Sequence, residues 1–206
     1  MKKVLNKRRL WIVAAFAVAA GVLAWLLLGG VVPFFTPSLT LQSPAPLSVG
    51  DREEVVIDVV LSRLPDGLYP AASLSVQFDP NKLEFTGIKQ GTMMTRGALQ
   101  DGQPTFHVPL WQADIAVSNQ RGQVNTMYLD TTGGTFAYTS EGFATGSRDV
   151  LLRLGFRLRD SVQAGEIYRL SVADAVLATI GGSADRSSLA TSSSTLIAYP
   201  AEIVVK

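Results

Sequence analysis

The chain has 206 residues, 18 of them Lys or Arg and 17 Asp or Glu, with one histidine and no cysteine. Absence of cysteine excludes disulfides and thiolate metal sites, and a lone histidine leaves any metal site dependent on carboxylates. A formal charge of +1 supplies no basic surface for nucleic acid.

The charge is unevenly spread. Lys2, Lys3, Lys7, Arg8 and Arg9 fall in segment 1–9, and beyond them 13 basic and 17 acidic residues give −4. Residues 10–32, Leu10 to Val32, contain no charged side chain. At about 1.5 Å per residue, 23 helical residues span a hydrocarbon core of about 30 Å. A cleaved signal peptide also begins with a basic stretch and an apolar run, but its apolar region is shorter, and Trp25 to Leu28 carry this one past the small residues at 14–20. The expectation is an uncleaved transmembrane helix in the cell membrane, single-pass, with a cytoplasmic amino end and an extracytoplasmic remainder. A pilin-like Gly-Phe processing site with a glutamate just inside the apolar run is absent. Residues 33–37 form a linker, reaching about 20 Å with Ser38 if extended.

From Ser38 onward the pattern is β throughout. Leu39 and Leu41 begin a strand, and Val49-Gly50-Asp51 turns into a second, with Val55, Ile57, Val59 and Leu61 on one face. Ala72, Leu74, Val76 and Phe78 alternate with Ser73, Ser75 and Gln77 in a third. Asp79-Pro80-Asn81 stops it, because proline has no N–H and Asp and Asn bond to nearby backbone. Leu83, Phe85 and Ile88 resume the apolar pattern, with a bulge expected at Gly87 and a stop at Gly91. Residues 96–112 read as a long loop with short extended pieces, Ile115 and Val117 as alternation before an Asn119–Gly122 turn, and 124–129 as a strand. Thr135 to Tyr138 reads as a short strand within a Gly, Thr and Ser-rich segment. Leu152, Leu154, Phe156 and Leu158 alternate with Arg153, Arg157 and Arg159. A turn at 160–165 leads to Tyr168, Leu170 and Val172, then a second short strand from Ala175, a Ser and Gly-rich loop, and a last segment whose Pro200 implies an edge or a bulge. Short strands between turn signals predict an all-β sandwich of about nine strands.

The Phe78-Asp79-Pro80-Asn81 turn leading to Leu83, Glu84, Phe85 and Gly91, followed by RDVLLRLGFRLRDSVQAGEIYRLSVADA from Arg148 to Ala175, resembles the cohesin domain over most of residues 38–206. Cohesins are β-sandwich modules that bind dockerins in cellulosome scaffolds and also occur in exported proteins with no cellulosome. The resemblance implies a jelly-roll topology, no catalysis, no cofactor and a protein partner in trans, dockerin-like or another cell-surface protein. Dockerin-binding cohesins present an Asn and an Asp before this turn, where this chain has Ala71 and Ser73. If strand order also follows the family, the strands at 71–78, 124–129 and 150–159 share one sheet. Ser73, Ser75, Gln77, Arg153 and Arg157 then form one partner-binding surface.

The alternatives are a purely structural envelope protein and a carbohydrate-binding module at the cell surface acting on polysaccharide, with Tyr69, Trp111 and Tyr138 converging as stacking rings. Other chemistry is thin. Asp79, Glu84, Asp114 and Glu141 are single carboxylates with no glycosidase signature. Asp51, Asp174 and Asp185 lie near turns without the spaced acids of an EF-hand, and His107 reads as a surface or packing residue.

Overall fold

The computed structural model describes residues 36–62, 64–65, 67–131, 136–139, 149–179 and 188–206. The expected transmembrane segment at 10–32, Arg148, Glu141 and Asp185 lie outside them. Among the described residues no helix is long and apolar enough to cross a membrane.

Twelve strands are present among the described residues, more than the nine expected, because short pieces at the sandwich edges pair as well. They are β1 (Ser38–Leu41), β2 (Val55–Leu61), β3 (Ala71–Gln77), β4 (Leu83–Gln90), β5 (Thr95–Gln100), β6 (Gln103–His107), β7 (Gln123–Leu129), β8 (Val150–Leu158), β9 (Ile167–Ala178), β10 (Leu189–Ala190), β11 (Ile197–Tyr199) and β12 (Ala201–Val204). One sheet has the order β11-β1-β2-β8-β4, the other β10-β9-β3-β7 with β12 also on β9, and β5 and β6 form a hairpin. The alternating runs of β2, β3 and β8 point their apolar sides between the sheets, where Ile57, Val76, Leu83, Leu154, Phe156 and Leu170 are fully buried. Phe156 lies at the centre, 5.2 Å from the Phe78 ring and 5.6 Å from the Phe85 ring.

Strand directions gather the loops at two ends. Ser38, Leu61, Gln90 and Val150 meet at one end of the first sheet, and Ala71, Leu129 and Ala178 lie at the same end of the second. The other end holds the Asp79 turn and the Asp160–Gly165 turn. There Asn81 N–H donates to Asp79 Oδ1 at 2.9 Å, as the turn chemistry requires.

Four sequence expectations are corrected. The Asp101-Gly102 pair, with φ of 52° and 78°, makes a tight two-residue turn between β5 and β6, so residues 95–107 are a hairpin and not a long loop. Ile115–Arg121 is a helix, α1: Asp114 Oδ1 accepts from Val117 N–H at 2.9 Å at its start, and Gly122 closes it at φ 65°. β9 is one strand whose alternation changes phase at a bulge opposite Ser75 and Val76, which the sequence shows as a break. Most consequentially, β8 belongs to the sheet opposite β3 and β7.

Other expectations hold. β4 changes register at Gly87, where φ is 143°. Pro200 stands where the chain leaves β11 at the edge of one sheet and enters β12 at the edge of the other. Helix α1 lies against β4 and β7, and its Asn119 protects the β4 edge. The carboxamide accepts from Phe85 N–H at 2.8 Å and donates to Phe85 O at 2.9 Å, filling the place of a neighbouring strand.

Candidate functional site

The side chains directed outward from β3, β7 and β9 form a surface whose composition the register defines row by row. From the end nearest Ser38 the rows are Ala178-Ala71-Leu129, Val176-Ser73-Met127, Asp174-Ser75-Asn125 and Ser171-Gln77-Gln123. The first two rows are mainly apolar and the last two polar. Met127 and Leu129 are 64% and 59% exposed. Asp174 is the single ionisable residue in these rows, and its Oδ1 accepts from Thr191 Oγ1 at 3.0 Å. Ser75 Oγ donates to Asn125 Oδ1 at 2.7 Å, and Gln123 Nε2 donates to the same oxygen at 2.7 Å. Ser73, Ser75, Asn125 and Met127 line a shallow groove bounded by Gln112. Ala71 and Ser73 both face outward, as the alternation predicts.

The opposite sheet presents a different surface. Arg153 Nε donates to Asp58 Oδ1 at 3.0 Å, and its Nη1 to Gln90 O at 2.7 Å. Lys89 pairs with Glu54, to which Thr86 Oγ1 donates at 2.6 Å. These contacts, with the Lys89 bond the largest cause and Arg157 a smaller one, hold the Glu54 carboxyl below its usual range. Arg157 lies across from Glu84. Charges on this face are therefore largely neutralised within the domain.

That separation corrects the expectation of one joint surface. Ser73, Ser75 and Gln77 are on one side of the sandwich and Arg153 and Arg157 on the other. Alternation sets which face of its own sheet a residue takes, but not which sheet the strand joins. The Arg153 guanidinium is also not open to a partner, because Asp58 and the Gln90 carbonyl engage it.

The three proposed stacking rings do converge, but inside the protein. Tyr69, Trp111 and Tyr138 are all buried. Trp111 Nε1 donates to the Tyr138 hydroxyl at 2.9 Å, the Tyr128 ring meets Tyr138 edge-on at 5.4 Å, and Tyr69 pairs with Tyr138 through backbone. Burial drives the Tyr138 hydroxyl far above its ordinary titration range. This is a packed polar contact and no sugar platform. Tyr138→Phe is expected to leave the Trp111 N–H without its acceptor and to cost about 1 to 3 kcal/mol in a urea melt. An unchanged midpoint would mean that water or another group replaces it.

Most candidate carboxylates have structural duties. Asp51 Oδ1 accepts from Glu53 N–H at 3.0 Å, Asp79 closes its turn and Asp114 caps α1. Glu84 is exposed on β4. The exposed His107 ring packs edge-on against Phe136 with centroids 4.0 Å apart. Among the described residues no three of His, Asp and Glu gather in a way that could hold a metal ion. The row composition of the β7-β3-β9 face escaped sequence reasoning because it depends on strand pairing.

No family model matches the sequence, and no curated protein does. Solved structures do match in fold. The third cohesin of ScaC from Acetivibrio cellulolyticus, solved with the ScaB dockerin, is 15% identical over 82% of this chain and 98% of its own, with TM-score 0.53. The OlpA cohesin of Clostridium thermocellum, also solved with a dockerin, is 11% identical over 83% and 99%, with TM-score 0.55. A non-cellulosomal cohesin from the hyperthermophilic archaeon Archaeoglobus fulgidus is 10% identical over 83% and 91%, with TM-score 0.51. The two-sheet domain described above therefore has a cohesin-like fold.

Proposed function

We propose that residues 38–206 are a non-catalytic recognition module, held outside the cytoplasm by an uncleaved anchor at residues 10–32, whose β7-β3-β9 face binds a separate protein. One observation carries the choice of face: its rows hold a single ionisable residue and expose Met127, while the opposite face ties its charges into internal pairs. Protein interfaces are depleted of charge at their centres and enriched in methionine. Cohesin-like structures solved with dockerins support a dockerin-like partner. The non-cellulosomal archaeal cohesin supports keeping other surface proteins in view. With Ala71 and Ser73 where dockerin-binding cohesins present Asn and Asp, the contact on this face rests on packing around Met127 more than on charge.

The test is a pair of surface variants, measured against a dockerin panel or a partner captured with the intact chain. Ser75→Arg combined with Met127→Glu puts charge on the inner strand and on the exposed edge of the face and should weaken binding by more than tenfold, about 1.4 kcal/mol. Arg157→Glu on the other sheet should leave affinity unchanged. The reverse pattern would assign recognition to the β8 side.

A further inference from the structure

The two ends of the sandwich differ in character. At the end where the chain enters at Ser38, the described surface exposes Leu68, Met94, Leu99, Phe106, Leu129 and Ile197. Their position follows from pairing. Ile197 is the partner of Ser38, Leu129 of Ala71, and the base of the β5–β6 hairpin is set there by Met93 N–H donating to Val150 O at 3.0 Å. Leu99 is 65% and Phe106 48% exposed, on paired strands of that hairpin. The opposite end also exposes Val49 and Ile167 but sets them among charges: Arg52 pairs with Asp160 and Lys82 with Glu166, and Glu53, Asp79 and Arg159 lie close by in sequence.

We infer that the apolar end seats against the headgroup and acyl boundary of the lipid bilayer. The occupant is chosen by where the chain enters. Residues 33–37 are the only sequence between the uncharged run 10–32 and β1, and a linker of that length reaches less than about 20 Å. A domain tethered so closely at its apolar end turns that end toward lipid, and leucine and phenylalanine side chains partition into this boundary. Asp101, Asp130 and Asp149 outnumber Arg96 at the same end, so zwitterionic lipid is the matching surface and anionic lipid is disfavoured. Seating leaves the side of the sandwich that carries β7, β3 and β9 open to a protein partner. The inference rests on the anchor proposed above.

Because the chain has no native cysteine, single-cysteine variants report position directly. Leu99→Cys, Phe106→Cys and Gln163→Cys in the full chain, each labelled with bimane and reconstituted in phosphatidylcholine vesicles, are compared with and without brominated acyl chains. Quenching at 99 and 106 but not at 163, in protein that floats with the vesicles after a carbonate wash, is the expected result. Floating protein with no quenching at 99 and 106, or equal quenching at all three, overturns the seating and leaves the anchor standing. Protein that fails to float overturns the anchor and the seating together.

Discussion

Phe156→Ala is expected to cost about 3 to 5 kcal/mol of folding stability, the lost transfer energy of a buried ring plus the cavity it leaves. Phe156 has no exposed surface and packs against Phe85 on the neighbouring strand of its own sheet and against Phe78, which follows β3 of the other sheet, so neighbours from both layers would have to move to refill the space. Removing it weakens the joint between the sheets, not one strand. The measurement is a urea melt of residues 36–206, whose apolar core is assembled from residues 39–205. A loss below about 1 kcal/mol would place the ring outside a tightly packed core.

Gly91→Ala is expected to be nearly as damaging, at about 3 kcal/mol, because the new methyl collides with main chain. A Cβ there would lie 2.0 Å from Val150 O and 2.5 Å from Leu151 O. The close approach has a reason. Thr92 and Met93 both donate their N–H to Val150 O, at 2.8 and 3.0 Å, so the chain leaving β4 folds tightly over the end of β8 before starting the hairpin. No rotamer change relieves such a clash. Equal melts for Gly91→Ala and the parent chain would show that this crossing is looser than described.

The sequence made plain which residues face the core wherever one side of a strand is dry and the other wet. β2, β3 and β8 were readable for that reason, and so was the Asp-Pro-Asn turn. Helix α1 was not, because Ile115 and Val117 are β-branched, two residues apart and largely exposed, so their spacing says strand while the signals that decide are the Asp114 cap and Gly122. The hairpin was missed because its prolines and glycines suggested loop, although Asp101-Gly102 is itself a hairpin turn. Strand order was the largest loss. Arg153 looked available for a partner because the strand supplying Asp58 could not be known, and the apolar rows around Met127 exist only once β3, β7 and β9 are set side by side.

Methionine oxidation offers the most direct test that the β7-β3-β9 face binds a protein. Met127 is exposed on β7 at the edge of that face, Met94 is exposed at the end of the domain, and Met93 is buried. Brief hydroxyl-radical labelling of the full chain, free and saturated with its captured partner, reads all three in one sample by mass spectrometry. The account predicts that partner binding suppresses oxidation of Met127 while Met94 reacts as before and Met93 stays protected. Met127 oxidising at the same rate in the complex as in the free chain would contradict it.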